Sequence, residues 1–128
     1  MSVNRILYVE DEPDIREIAQ LALADLGGFE LRLCASGTEA LTAVETFEPD
    51  LILLDVMMPG MDGTETLAAL RERLDLARIP VVFMTAKLQP EELARFRRLG
   101  AADIIPKPFD PITLPDQIRS IWTRWQTD

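Results

Sequence analysis

Five short apolar runs punctuate the chain, and between them lie stretches whose apolar residues recur at helical spacing. The first run is Arg5-Ile6-Leu7-Tyr8-Val9, which stops at three consecutive acids, Glu10, Asp11 and Glu12. Pro13 then suits a first helical turn, and Ile15, Ile18, Ala19, Ala22 and Leu26 predict a helix that ends at Gly27-Gly28. Glu30 to Cys34 alternates in character and predicts an edge strand. Ser36 with Glu39 predicts a capping box for a helix through Leu41, Val44 and Phe47, which Pro49-Asp50 breaks. Leu51-Ile52-Leu53-Leu54 is continuously apolar, the pattern of a strand buried on both faces in the middle of a parallel sheet, and it ends on one carboxylate, Asp55.

The second half repeats the alternation. Asp62 and Glu65 predict a capped helix carrying Leu67, Leu70 and Leu74. Val81 to Met84 is a fourth strand that ends at Thr85. Pro90, Glu91 and Glu92 open a helix with Leu93, Phe96 and Leu99, closed by Gly100. Ala101 to Ile105 is a fifth strand running into Pro106-Lys107-Pro108. Thr113 is the expected cap of a last helix with Pro115 in its first turn and a stripe of Leu114, Ile118, Ile121, Trp122 and Trp125. Five strand–helix pairs predict one α/β domain over residues 1–128: a doubly wound parallel sheet with right-handed crossovers and helices on both faces.

Such sheets bind ligands beyond the carboxyl ends of their strands. There the first strand offers Glu10 and Asp11, the third Asp55, the fourth Thr85 and the fifth Lys107. Carboxylates packed together repel and raise one another's pKa, and a hard cation such as Mg²⁺ relieves the repulsion. The lysine and the hydroxyl are suited to phosphate oxygens. A carboxylate oxygen is also a nucleophile toward phosphorus. The set predicts an acyl phosphate formed on one of its own aspartates.

Composition narrows the class. The 128 residues carry a net charge of −9 and no histidine, which removes histidine triads, histidine metal ligands and a phosphohistidine on this chain. The acidity leads to the expectation of no nucleic-acid partner. The chain has one cysteine, Cys34, no signal-peptide pattern and no membrane-length apolar run, so a cytoplasmic domain without a membrane partner is expected. By default Glu12 and Asp14 favour the first helix's positive end, Asp62 is a cap, Cys34 is a small buried hydrophobe, and Trp122 and Trp125 are core anchors. Arg95, Arg97 and Arg98 are a solvated face by the same default.

The chain resembles the receiver domains of response regulators, of the single-domain CheY-like kind. The resemblance rests on Glu10-Asp11-Glu12-Pro13, Asp55-Val56-Met57-Met58-Pro59-Gly60-Met61-Asp62-Gly63, Thr85-Ala86, Gly100-Ala101 and Lys107-Pro108-Phe109, which span the chain. It implies a flavodoxin-like (βα)5 fold with strand order 2-1-3-4-5. It implies that Asp55 accepts phosphoryl from a sensor histidine kinase or histidine phosphotransfer protein. It further implies that Asp11, Asp55 and the main-chain carbonyl of Met57 ligate Mg²⁺ with Glu10 acting through water, that Lys107 and Thr85 meet the phosphoryl group, and that the Lys107–Pro108 peptide is cis. Output is expected as a downstream protein contact at the face of the fourth helix, fifth strand and fifth helix, or as onward phosphotransfer, without multiple-turnover catalysis. Two departures stand out. Glu10 occupies a place where Asp is commoner, and Ile104 sits where an aromatic usually couples to the threonine. Ile104 is the best support for an alternative, a pseudo-receiver that binds partners without phosphorylation.

Overall fold

The computed structural model describes residues 2–75 and 77–127. Strands β1 (Arg5–Val9), β2 (Glu30–Cys34), β3 (Leu51–Asp55), β4 (Val81–Thr85) and β5 (Asp103–Pro106) form one sheet of order β2-β1-β3-β4-β5, with every neighbouring pair parallel. The expected class and order hold. Helices α1 (Pro13–Ala19), α2 (Gly37–Phe47), α3 (Gly63–Arg73), α4 (Pro90–Leu99) and α5 (Leu114–Thr127) make the crossovers.

Alternation along the strands splits the core in two. Leu7, Val9, Ile52, Leu54, Val81 and Phe83 face α2, α3 and α4, where Phe83 and Phe96 meet edge to face at 5.2 Å. Ile6, Tyr8, Leu51, Leu53, Val82 and Met84 face the opposite side, with Ala19, Ala22, Ile118 and Trp122. Every residue of β3 and β4 is buried, as continuous apolar runs in central parallel strands require. β2 lies at the edge with an alternating exposure pattern.

Several boundaries differ from the expected ones. After Ala19 the first helix continues as a π-helical segment, Gln20–Leu26. Its wider turns shift the register there, so that Ala22 and Leu23 face inward and Leu26 is exposed; Ile18, on α1, is exposed as well. β5 begins two residues late, because Ala101 N–H still caps α4 through the Phe96 carbonyl. Asp62 and Glu65 form a full capping box, whereas Ser36 accepts from Glu39 N–H but the Glu39 carboxylate reaches one residue further back, to Ala35 N–H. The Thr113 side chain turns back to the Asp110 carbonyl.

Candidate functional site

Strand order decides what meets at the carboxyl edge. β1 and β3 are neighbours with Val9 opposite Leu54, so Glu10 and Asp11 emerge beside Asp55. β4 lies next, with Asp55 opposite Met84, and β5 beyond it, with Thr85 opposite Pro106. One carboxylate oxygen each of Glu10, Asp11 and Asp55 lies within 4.8 Å of the other two, an arrangement able to hold a metal ion. Glu10, Asp55 and Thr85 are buried, and Asp11 is half-buried.

Backbone packing fixes Asp55. Gly63, at the start of α3, lies so close beneath it that a Cβ there would stand 2.5 Å from the Asp55 carbonyl oxygen and 2.7 Å from Val56 Cα. A glycine is needed for that approach. Gly60 turns the intervening loop with φ of 72°. Met57 N–H, two residues past the acid, donates to Asp55 Oδ1 at 3.2 Å. The Met57 side chain is exposed and Met58 is buried in the core.

Lys107 reaches across the rim. Its Nζ donates to Glu10 Oε1 at 2.8 Å and lies 3.3 Å from Asp55 Oδ2. In this state the lysine is held more closely by Glu10 than by Asp55. The Lys107–Pro108 peptide is cis, and Lys107 N–H donates to the Thr85 carbonyl, tying the loop to β4. The Thr85 hydroxyl accepts from Lys87 N–H at 2.9 Å.

The expected repulsion among the acids falls on Asp55. Burial raises its pKa, the adjacent Glu10 raises it further, and Lys107 offsets only part, leaving it at about 7. Burial also pushes Glu10 up, but Lys107 and further donors outweigh it and hold Glu10 below the usual carboxylate range. Lys107 is raised: burial opposes its charge, but the hydrogen bond to Glu10 and the nearby Asp55 prevail. The cluster thus favours an ionised Glu10 against Lys107, and of the two buried acids Asp55 holds its proton more tightly.

Two residues of this network were not singled out as site residues from the sequence. Tyr8, buried on β1, directs its hydroxyl to Glu10 Oε1 at 3.3 Å. Arg16 on α1 donates to the Glu10 carbonyl at 2.7 Å. Tyr8 was detectable by parity, since a residue two before Glu10 on the same strand shares its face. Arg16 gave no comparable signal.

Away from the rim the defaults hold: Asp62 caps α3, Cys34 and Trp122 are buried, and Arg95 and Arg97 make partly exposed ion pairs with Glu92 and Asp103. Ile104 is partly buried against the α2–α3–α4 core.

The fold and rim define a doubly wound α/β domain with three carboxylates able to hold a metal ion, and a lysine beside them, at the sheet's carboxyl edge. The chain belongs to the response regulator receiver domain family of two-component systems, whose family model matches residues 6–119. It is 37% identical over 121 residues to the response regulator Rre1 of Synechocystis, covering 94% of this chain and 52% of that protein. It is 37% identical over 117 residues to the DNA-binding response regulator MtrA of Mycolicibacterium smegmatis, covering 91% and 50%. Among solved structures it is similar to the chemotaxis response regulator CheY4 of Vibrio cholerae, with a TM-score of 0.86, 31% identity and coverage of 94% and 99%. The chain spans about half the length of the curated relatives it matches.

These relatives correct one expectation. Net charge led to the exclusion of nucleic acid as a partner, yet domains like this one occur in proteins named for DNA binding. A charge of −9 describes the field of this chain alone and sets no limit on the protein to which such a domain belongs. Among the described residues, no helix is long and apolar enough to cross a membrane.

Proposed function

We propose that the domain is a phosphorylation-controlled switch in which Asp55 accepts a phosphoryl group from a histidine kinase or histidine phosphotransfer protein. The observation that carries this reading is the convergence of Asp55, Glu10, Asp11 and Lys107 on one rim, with the lysine 3.3 Å from the Asp55 carboxylate. An Asp55 oxygen attacks phosphorus in line; the new P–O bond forms as the P–N bond to the donor imidazole breaks, and that nitrogen keeps the electron pair. Asp55 must be ionised to attack. Lys107, released from Glu10, is placed to neutralise an equatorial phosphoryl oxygen, and the Thr85 hydroxyl to donate to another.

Asp11, Asp55 and the Met57 carbonyl are the groups that would hold Mg²⁺, with Glu10 binding one of its waters. The donor set suits that ion: oxygens alone, few carboxylates, and room for water and phosphate. When bound, Mg²⁺ supplies the charge that favours ionised Asp55 and offsets charge on the phosphoryl oxygens. Phosphorylation then shifts a two-state equilibrium of the domain, with self-limited phosphorylation and dephosphorylation rather than multiple turnover, in the cytoplasm. The relatives named for DNA binding support an output that acts on nucleic acid through a partner or segment other than this acidic domain.

Incubation with acetyl phosphate and Mg²⁺, followed by intact-mass measurement, tests the reading. One phosphoryl group is expected on the wild type, and none with Asp55→Asn or with chelator. Equal labelling of Asp55→Asn would overturn it. Ile104 favours a second reading, partner binding without phosphorylation, which predicts partner affinity unchanged by beryllofluoride.

A further inference from the structure

Beyond Arg5, the strand before the acids is apolar except at Tyr8, whose side chain is fully buried among Ile6, Leu53 and Met84 on the α1–α5 side of the sheet. Phenylalanine would fill that volume with no polar group to satisfy. Among the described residues the hydroxyl has one hydrogen-bond partner, Glu10 Oε1, 3.3 Å away.

Glu10 has a positional difficulty. It carries one methylene more than aspartate, so its carboxylate can swing through more rotamers above the rim. Three donors remove that freedom. Lys107 Nζ holds Oε1 from the side at 2.8 Å, Tyr8 holds the same oxygen from below, and Glu12 N–H meets Oε2 at 3.3 Å. Lys107 is the member that must leave when it turns to a phosphoryl group. Tyr8 and Glu12 then remain. Tyr8 is a neutral donor, so it fixes the oxygen without cancelling the negative charge a cation needs. Burial, with Glu10 and Asp55 nearby, pushes its ionisation far above the usual range, so it remains a donor.

We propose that Tyr8 is a positioning residue of the phosphoryl-transfer site, holding Glu10 from within the core so that its carboxylate stays aimed at the metal's water shell when Lys107 departs. This rests on the phosphoacceptor reading above. The longer Glu10 and the hydroxyl beneath it form a matched pair, since an aspartate at this position would stop short of the Tyr8 oxygen.

Direct calorimetric titration of the unphosphorylated protein with Mg²⁺ tests the pairing, alongside the Mg²⁺ dependence of labelling by acetyl phosphate. Loss of a group that orients a metal site's outer shell typically weakens metal affinity by about 10–100-fold. Tyr8→Phe should therefore weaken Mg²⁺ binding about tenfold, with the melting temperature changed by only a few degrees. In a Glu10→Asp background the same substitution should change affinity less than about twofold, because the hydroxyl no longer has its partner. Equal affinity in wild type and Tyr8→Phe would overturn the proposal. So would the same tenfold loss in both backgrounds, which would mark a packing effect independent of Glu10. A wild type that neither binds Mg²⁺ nor labels would overturn the phosphoacceptor reading and this inference with it, whereas a wild type that does both while Tyr8→Phe matches it would overturn this inference alone.

Discussion

Replacing Asp55 with asparagine should make the metal-free domain more stable at neutral pH, although it removes the proposed phosphoacceptor. The carboxyl is buried beside Glu10 and its pKa rises from an ordinary 3.8 to about 7. A rise of that size corresponds to roughly 4 kcal/mol. The folded state binds this proton more tightly than the unfolded chain does. The contribution therefore does not disfavour folding below about pH 4, grows as pH rises toward 7, and is complete above it. Asparagine never ionises, and its Oδ1 can still accept from Met57 N–H. The rise is already net of Lys107, which keeps its nearer partner, Glu10, at 2.8 Å; part of the gain is lost because an amide donates to Glu10 less strongly than the carboxyl proton does. A net stabilisation on the order of 2 kcal/mol remains, or roughly 5–10 °C in melting temperature. Urea denaturation in chelator, at pH 4.5 and pH 8, measures it. The two proteins should differ little at pH 4.5 and by the full amount at pH 8. An Asp55→Asn variant no more stable than wild type at pH 8, or one stabilised equally at both pH values, would refute the account of the cluster.

Three further outcomes follow from the same geometry. Lys107→Met leaves Glu10 buried without its cation and should destabilise the metal-free domain by about 3 kcal/mol in urea melts while slowing labelling by acetyl phosphate. Gly63→Ala forces a methyl against the Asp55 and Val56 backbone, and should cost about 1–3 kcal/mol and slow labelling, both read on the same samples. Asp62→Ala removes the capping box of α3, with a loss of about 1 kcal/mol at pH 7 by denaturant titration. Although burial opposes it, hydrogen bonds from Glu65 and Thr64 hold the Asp62 carboxyl below its usual range, so that loss should shrink as pH falls below about 4.

Much of the fold was legible because its elements obey one rule each. Leu51 to Leu54 read as a doubly covered strand and Asp62 with Glu65 as a helix start, and both formed. The family's motifs supplied the cis Lys107–Pro108 bond. What escaped depends on competition between local choices. Ala101 has strand neighbours, yet its N–H is taken by the end of α4. Leu26 fits a helical stripe, yet the π-helical segment turns it outward. The acids and the lysine were readable from strand ends. That Glu10, not Asp55, would hold Lys107 more closely was not, since it depends on the length of one side chain and a hydroxyl below it. Net charge misled about nucleic acid because it measures the domain's own surface.

In the proposed switch the phosphoryl group is carried on Asp55. Borohydride reduces an acyl phosphate to the alcohol and so marks the residue that bore it. After labelling with acetyl phosphate and Mg²⁺, reduction and peptide mapping should find the mark at Asp55 alone. A mark at Asp11, or none on a protein that has gained a phosphoryl mass, would contradict the account.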